Sequence, residues 1–246
     1  MTHPIQLFAI FTKWLILLYF SGQWQPTGED MQNTSHAVMA QRTEARDSPD
    51  DFPTPPWATR ALVEYVLEDL GTLSNKTCLE PACGAGNMVR VLKEYFADVT
   101  YSDAYDYRYG PIRDFLTYPF KCNSVDWVIT NPPFRLGEKF IMRALNIAKE
   151  GTAILARTVF IESIGRYRNI FEHTPPTIFA QFTERVPMVK GRLDRGATTA
   201  TGYAWLIWQK NQSGAAPRLV WIPPCRKALE RDTDYRLTKA APASPA

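Results

Sequence analysis

The segment Leu79-Glu80-Pro81-Ala82-Cys83-Gly84-Ala85-Gly86-Asn87-Met88 decides the fold of this 246-residue chain. It follows a short apolar run that is typical of a buried strand, and it precedes a run whose apolar residues have helical spacing. The two glycines let the backbone turn sharply and approach a ligand closely, while the start of the helix offers free N–H groups. The segment lacks the Gly-Lys-Ser/Thr ending of a P-loop and the third glycine of the dinucleotide fingerprint. We therefore predict a strand, a ligand-binding loop and a helix in that order.

Segments of strand and helix character alternate along the chain from residue 51 onward. The spacing of apolar residues predicts helices over residues 58–70, 87–96 and 138–149. The predicted strands are residues 76–79, 98–102, 127–130, 152–156, 177–182 and 201–208. This alternation is typical of the α/β class, in which helices cover both faces of a mostly parallel sheet. Such sheets bind ligands at the carboxyl ends of their strands, so the predicted site lies there.

Acidic residues end the first two predicted strands. Glu80 ends the first strand, and Asp103 follows the second strand 17 positions after Gly86. A carboxylate in the position of Asp103 can accept hydrogen bonds from both ribose hydroxyls of a nucleoside cofactor. Cys83 lies in the loop without a histidine nearby in sequence, so we interpret it as a small buried thiol rather than a nucleophile.

The four residues Asn131-Pro132-Pro133-Phe134 come directly after the predicted strand 127–130. The two prolines end the strand and stiffen the loop. The side-chain oxygen of Asn131 and the carbonyl of Pro132 can together accept both hydrogens of an amino group, which draws the nitrogen lone pair out of conjugation, and Phe134 offers a face on which a base can stack. Positioning supplies most of the catalytic effect, with no metal and no covalent intermediate. The motif therefore predicts methyl transfer to a planar amino nitrogen, and none of the other three Pro-Pro pairs follows an Asn.

With both motifs in this order, residues 51–210 resemble the N6-adenine DNA methyltransferases of the class I Rossmann-like fold. The resemblance implies a seven-stranded, mostly parallel sheet whose last strand, residues 201–208, is antiparallel, and S-adenosylmethionine as the cofactor. It implies catalytic roles for Asn131, Pro132, Pro133 and Phe134. It also implies that Glu80, Ala82, Gly84 and Gly86 line the methionine part of the cofactor, with Thr54 near its carboxylate, Asp103 at the ribose, and Asp114 and Phe115 at the adenine.

The target of the predicted reaction stays open among several classes. The resemblance favours adenine N6 in DNA, of a phage or prophage type, but only 38 residues follow Trp208, too few for a separate target-recognition domain. Structured RNA and, less favoured, a glutamine side chain in a protein are alternatives, as is a cofactor-binding module without activity. Cytosine chemistry fits the motif less well. The candidates for nucleic-acid contact are Arg135, Lys139, Lys190, Arg192 and Arg195.

The charge distribution is asymmetric along the chain. Residues 1–180 carry 17 Lys and Arg against 20 Asp and Glu, whereas residues 181–246 carry 11 against 5, within a formal net charge of +3. A basic C-terminal part favours a polyanionic partner. The four cysteines are scattered and only three histidines are present, so we expect no zinc site, no disulfide framework and a cytoplasmic protein.

We predict three regions: an N-terminal extension over residues 1–50, the catalytic domain over 51–210, and a basic extension over 211–246. Residues 5–20 are mostly apolar, but this run is shorter than the roughly 20 residues of a membrane span and lacks the features of a signal peptide. We therefore interpret residues 1–50 as disordered or as mis-annotated, with translation starting at Met31 or Met39. Membrane anchoring is the less favoured alternative, and the intact mass of the natively expressed protein tests the start site.

Overall fold

A computed structural model of the chain describes residues 50–212, 214 and 216–235. The predictions made for residues 1–49 therefore lie outside the described residues. The strands are β1 (Thr77–Glu80), β2 (Asp98–Tyr101), β3 (Val125–Thr130), β4 (Ala148–Arg157), β5 (Ile178–Phe182), β6 (Tyr203–Gln209) and β7 (Arg218–Ile222). The α-helices are α1 (Pro56–Leu62), α2 (Asn87–Tyr95), α3 (Gly137–Ile147), α4 (Ile164–Arg166) and α5 (Arg226–Leu229). Helix α1 continues through the π-turn Val63–Leu67 and the 3-10 turn Glu68–Leu70, and α4 continues through Tyr167–Phe171.

The seven strands form one sheet in the order β2-β1-β3-β4-β6-β5-β7. Strands β1, β2, β3 and β4 are mutually parallel where they pair, and β6 runs antiparallel to both of its neighbours, β4 and β5. The predicted α/β class, the seven strands and the antiparallel direction of the strand predicted at 201–208 are confirmed. Because β1 and β3 are adjacent and parallel, the glycine loop and Asn131 emerge at the same edge of the sheet.

The sheet continues beyond residue 210 with a strand that the sequence did not predict. Strand β7 pairs in parallel with β5 and forms an edge of the sheet, so β6 is not the last strand along the chain. Of its five residues only Ile222 is buried, while Leu219 and Trp221 are exposed, which leaves little alternation to detect. The turn after β7 is held by Glu184, whose Oε1 accepts the N–H groups of Cys225 (3.1 Å) and Arg226 (2.6 Å).

The boundary between α3 and β4 differs from the predicted one. The helix predicted to end at residue 149 ends at Ile147, and the strand begins at Ala148 rather than at residue 152. Ala148 pairs with Val125 of β3, so the chain joins the sheet four residues before the predicted start of the strand. A Cβ on Gly151 would lie 2.5 Å from the Trp127 ring, so this glycine allows close packing within the sheet instead of ending the helix.

The first helix is fully buried, and through Arg60 it anchors the C-terminal end of the described chain. All seven residues of α1 are buried, and Pro56 occupies its first turn, where a missing N–H costs nothing. The Arg60 side chain in this helix donates to both carboxylate oxygens of Glu94 and of Asp234 and to the Leu229 carbonyl. The C-terminal end of the described chain is thereby fastened to the core.

Candidate functional site

The candidate site is a cavity at the carboxyl ends of β1 and β3, where a parallel sheet is expected to bind its ligand. Its walls are the loops that follow β1, β2 and β3, together with residues 50–54, which we call the strap. The cavity brings together most of the site residues that the sequence predicts. These are Thr54, Glu80, Ala82, Gly84, Asp103, Asn131, Pro132, Pro133 and Phe134.

Two glycines with positive φ shape the loop between β1 and α2. Gly84 has φ +49°, and Gly86, which caps the N-terminus of α2, has φ +80°. The Gly84 N–H donates to Asp103 Oδ2 (2.9 Å), which ties the loop to the end of β2. A Cβ on Gly86 would lie 2.1 Å from the Tyr109 ring, so this ring occupies the space of a side chain. Gly86 therefore lets the Tyr109 ring pack closely against the loop.

The Glu80 carboxyl is buried at the floor of the cavity with only one of its oxygens satisfied. Its Oε1 accepts from the Thr130 hydroxyl (2.6 Å) and the Ala82 N–H (3.0 Å). Its Oε2 is buried and has no hydrogen-bond partner among the described residues. Burial, with a further contribution from the negative charge of Asp103, raises the pKa of Glu80 to about 8. An acid in this state is mostly protonated near neutral pH, and a cationic group of a ligand placed beside it would favour its ionised, hydrogen-accepting form.

The Asn131 side chain is held by one half of its amide. Its Nδ2 donates to the Phe52 carbonyl (2.9 Å) and the Thr54 hydroxyl (3.1 Å), and contacts Met188 Sδ at 3.8 Å. Its Oδ1 is buried and has no hydrogen-bond partner among the described residues. Because the strap engages the donors, the unsatisfied half of this amide, which belongs to a residue that lines the cavity, is the acceptor.

The Phe134 ring is fixed from several directions at the rim of the cavity. Its backbone N–H donates to Asp50 Oδ2 (2.7 Å), and its ring lies 5.2 Å from the Phe52 ring. The Arg157 guanidinium lies 3.9 Å from the ring centroid, a close cation–π contact. The ring is thus held in one orientation beside Asn131.

The structure does not bring three predicted cofactor residues to the lining of this cavity. Gly86 is not among the lining residues and instead packs against the Tyr109 ring. Phe115 is 1% exposed and packs against Phe140, with ring centroids 4.8 Å apart. Asp114 is exposed, and its carboxylate accepts from the Leu116 N–H (2.9 Å) and the Thr117 hydroxyl (3.2 Å), so it caps its own turn.

The basic residues predicted to contact nucleic acid differ in their surroundings. Arg135 and Lys139 are exposed on the loop and helix after Phe134, while Lys190 is half-buried. Arg192 forms an ion pair with Asp194 (3.2 Å). Arg195 pairs with two carboxylates, Glu230 at 3.2 Å and Asp232 at 2.8 Å. Of this group, Arg135 lies nearest in sequence to the cavity lining, since it directly follows Phe134.

The cavity also contains residues that sequence reasoning missed. Asp51 of the strap lines it, as do Tyr105 and Tyr107 from the loop after β2. The spacing of Tyr105, Tyr107 and Tyr109 at alternate positions after Asp103 was the available signal. Burial, then the charges of Asp103 and Asp50, raises the pKa of Asp51 to about 6. Burial raises the pKa of Cys83 to about 12, which keeps this thiol protonated, as expected of a structural cysteine.

Within residues 50–212, 214 and 216–235, no group of three or more His, Cys, Asp or Glu side chains is arranged to hold a metal ion. In the same part of the chain, no helix has the length and apolar character needed to cross a membrane.

Comparison with known proteins gives the fold but not the family. The sequence matches no protein-family model and no curated protein sequence. A class I S-adenosylmethionine-dependent methyltransferase of Listeria monocytogenes aligns with a TM-score of 0.52 at 13% identity, covering 76% of this chain and 69% of that chain. An RNA methyltransferase of Pyrococcus horikoshii aligns with a TM-score of 0.50 at 16% identity, covering 71% of this chain and 96% of that one.

A third structure is a modification subunit of a type I restriction enzyme from Vibrio vulnificus. It aligns with a TM-score of 0.47 at 15% identity, and the alignment covers 71% of this chain but only 47% of the subunit. At these identities the likeness shows the fold alone. The chain has the Rossmann-like fold of class I methyltransferases.

Proposed function

We propose that the protein transfers a methyl group from S-adenosylmethionine to an exocyclic amino nitrogen, N6 of adenine in DNA. The observation that carries this proposal is the state of Asn131, whose Nδ2 is engaged by the strap while its buried Oδ1 has no partner among the described residues. A buried acceptor without a donor is costly unless a ligand supplies one. An amino group that enters the cavity supplies that donor.

The residues of the cavity fit the proposed cofactor. The turn at Gly84 places backbone close to the cavity, and the lining residue Glu80 has an unpartnered Oε2 that becomes an acceptor when a cationic group favours the ionised carboxylate. Asp103 stands at the end of β2, where a carboxylate suits ribose hydroxyls. When bound, S-adenosylmethionine supplies an electrophilic methyl group on a sulfonium centre.

The acceptor side of the site positions the nitrogen that is to be methylated. Asn131 Oδ1 and the Pro132 carbonyl accept the two amino hydrogens, and this arrangement frees the nitrogen lone pair for in-line attack. Phe134, held by Arg157 and Asp50, presents its ring for stacking of the base. Orientation of the two reacting groups accounts for most of the rate enhancement. A target base in a duplex has to flip out of the base stack to reach Asn131 in the cavity.

The choice of adenine in DNA rests on the order of motifs in the sequence, with Thr54-Pro55-Pro56 ahead of the glycine loop and Asn131-Pro132-Pro133-Phe134 after it. The exposed Arg135 and Lys139 provide phosphate contacts near the rim. Such contacts give affinity without sequence reading, so we expect a short recognition sequence or none.

The test is methyl transfer from labelled S-adenosylmethionine to three targets offered separately: duplex DNA, structured RNA and a protein extract. We expect N6-methyladenine in the DNA, identified by mass spectrometry of the nucleosides. Methyladenine in RNA alone would reassign the polymer and keep the chemistry. Methylglutamine alone would reassign the substrate class. Binding of the cofactor without transfer to any target would contradict the proposed activity.

A further inference from the structure

The cavity has a strongly acidic lining whose charge the proposed reaction chemistry does not explain. Its described lining includes the carboxyl groups of Asp50, Asp51, Glu80 and Asp103, and none of these lining residues is Lys, Arg or His. Like charges that share a partly buried site raise one another's pKa and destabilise the ionised forms. A cation bound among them relieves this cost.

Asp51 differs from the other acids in how its carboxylate is used. Asp50 accepts from the Phe134 N–H, and Asp103 accepts from the N–H groups of Gly84 and Tyr105. The Asp51 carboxylate instead faces the glycine loop, with Oδ1 3.8 Å from the position that a Cβ on Gly84 would take. It therefore lies beside the turn of the glycine loop, within the lining of the cavity.

A second, independent feature points to a ligand in the same place. Glu80 is 1% exposed, lines the same cavity, and its Oε2 has no partner among the described residues. A buried carboxyl oxygen left open in this way calls for a hydrogen-bond partner from outside the chain, and a cationic partner favours the ionised form of the carboxyl group. Glu80 and Asp51 thus bound a space that suits a positively charged, hydrogen-donating group.

The strap connects Asp51 to the acceptor side of the site. The Asp51 carbonyl accepts the Gly191 N–H (2.9 Å), while the next residue, Phe52, accepts from Asn131 Nδ2 through its carbonyl (2.9 Å). The neighbouring Asp50 accepts from the Phe134 N–H (2.7 Å). Any force on the Asp51 side chain therefore acts on the backbone that orients Asn131 and Phe134.

We propose that Asp51 binds the positively charged methionyl part of S-adenosylmethionine, and that the strap transmits this contact to Asn131 and Phe134. The inference rests on the proposed function, because it takes S-adenosylmethionine as the ligand. It adds a positioning residue that couples occupation of the cofactor site to the geometry of the amino-group acceptors. At pH 7.5 the carboxyl group, whose pKa is about 6, is mostly ionised and ready to bind a cation.

The test compares three ligands by isothermal titration calorimetry at pH 7.5. S-adenosylmethionine carries a sulfonium and an ammonium, S-adenosylhomocysteine only the ammonium, and 5′-methylthioadenosine neither. We expect Asp51→Asn to weaken S-adenosylmethionine binding by about tenfold or more, the size typical of a lost charged hydrogen bond, and to leave 5′-methylthioadenosine binding within about twofold. If Asp51 contacts the ammonium, Asp51→Asn also weakens the binding of S-adenosylhomocysteine. If Asp51 contacts the sulfonium, the affinity for S-adenosylhomocysteine does not change.

Two further variants separate charge from folding. Asp51→Glu keeps the charge and is expected to retain most of the affinity, and Asp98→Asn removes an exposed carboxylate at the start of β2 as a matched control that changes nothing. Equal loss of all three ligands in Asp51→Asn, or equal loss in Asp51→Glu, would overturn the charge contact. If the wild-type protein binds neither S-adenosylmethionine nor S-adenosylhomocysteine, it is the proposed function that fails.

Hydrogen exchange tests the coupling without a methyl acceptor. In the wild type, saturating S-adenosylmethionine is expected to slow exchange at the Phe134 and Gly191 amides, both of which donate to the strap. In Asp51→Asn at saturating ligand, this protection is expected to be lost at both amides. Full protection in the variant would show that the strap does not carry the coupling.

Discussion

Two clusters of buried polar groups, one around Arg60 of α1 and one in the cavity, differ in whether their hydrogen bonds are complete. Around Arg60, which is 2% exposed, the guanidinium binds Glu94, Asp234 and the Leu229 carbonyl. In the cavity, Glu80 Oε2 and Asn131 Oδ1 have no partners among the described residues. The first cluster is satisfied by the chain itself and serves stability. The second is preorganised for groups that arrive from outside, and it is there that we place the function.

The largest effect is expected from breaking the satisfied cluster. Arg60→Met leaves the Asp234 carboxylate, whose side chain is 5% exposed, without its cation. Removing one partner of a buried ion pair costs about 3–5 kcal/mol, so we expect a loss of that size in the free energy of unfolding, measured by urea denaturation. Arg168→Met, at an exposed position, is the matched control and is expected to change stability by less than about 0.5 kcal/mol.

The triple variant Arg60→Met, Glu94→Gln, Asp234→Asn tests whether unpaired charge causes the loss of stability in Arg60→Met. It removes the charges together, so it should recover part of the stability lost in Arg60→Met. No recovery would mean that packing of the arginine stem, rather than unpaired charge, explains the loss.

The unsatisfied cluster should respond in activity instead of stability. Asn131→Ala removes the open acceptor, and loss of one such preorganised group is expected to lower the rate of methyl transfer about 10²–10³-fold. Cofactor affinity, measured by calorimetry, should change little because Asn131 holds the acceptor side. Asn169→Ala, which removes an exposed amide that donates to Glu138 (2.7 Å), is the control. Activity that survives in Asn131→Ala would refute the assigned role.

Much of the candidate site could be predicted from the sequence because most of its residues lie in two short segments of the chain. Glu80 and Gly84 lie within one strand and its loop, and Asn131 to Phe134 are consecutive. Parallel strands then bring the two segments to one edge of the sheet. A pattern of this kind is visible in one dimension, so the fold class and many of the residues that line the candidate cavity could be predicted.

What the sequence missed depends on contacts between distant residues. The role proposed for Asp51 depends on its approach to Gly84, and Arg157 reaches Phe134 from the end of β4. Phe115 was assigned to the cofactor by resemblance, but the phenylalanine cluster of Phe120 and Phe140 draws it into the core. Strand β7 escaped detection because an edge strand with one buried residue has no clear period.

The glycine loop offers a test that separates backbone strain from the packing around the cavity. Gly86→Ala puts a side chain at φ +80° and also against the Tyr109 ring, so we expect it to lower the free energy of unfolding by about 2 kcal/mol or more. Gly214→Ala, at φ +87° with no atom of the described residues within 4 Å of the added Cβ, carries the strain alone and should cost about 1 kcal/mol. Equal losses would mean that Tyr109 moves aside freely.

The smallest effect is expected in how the stability of the protein depends on pH, because Glu80 of the unsatisfied cluster has a raised pKa. Burial raises the pKa of Glu80 to about 8 in the folded protein, against an ordinary value of about 4.3 for an unfolded chain. The folded state therefore holds this proton over a range in which the unfolded state has lost it. Its stabilising contribution is complete below about pH 4 and declines as the pH rises through 8.

Glu80→Gln stays neutral at every pH and lacks this decline, so its thermal midpoint should rise relative to the wild type between pH 5.5 and pH 8. A relative gain of at least about 2–4 °C corresponds to about 1 kcal/mol for a domain of this size. Asp51 and Asp103 titrate in both proteins, so their contributions largely cancel in the difference. Parallel melting curves across this range would show that Glu80 is ionised in the free protein and that its open oxygen is hydrated, which would make the two polar clusters alike.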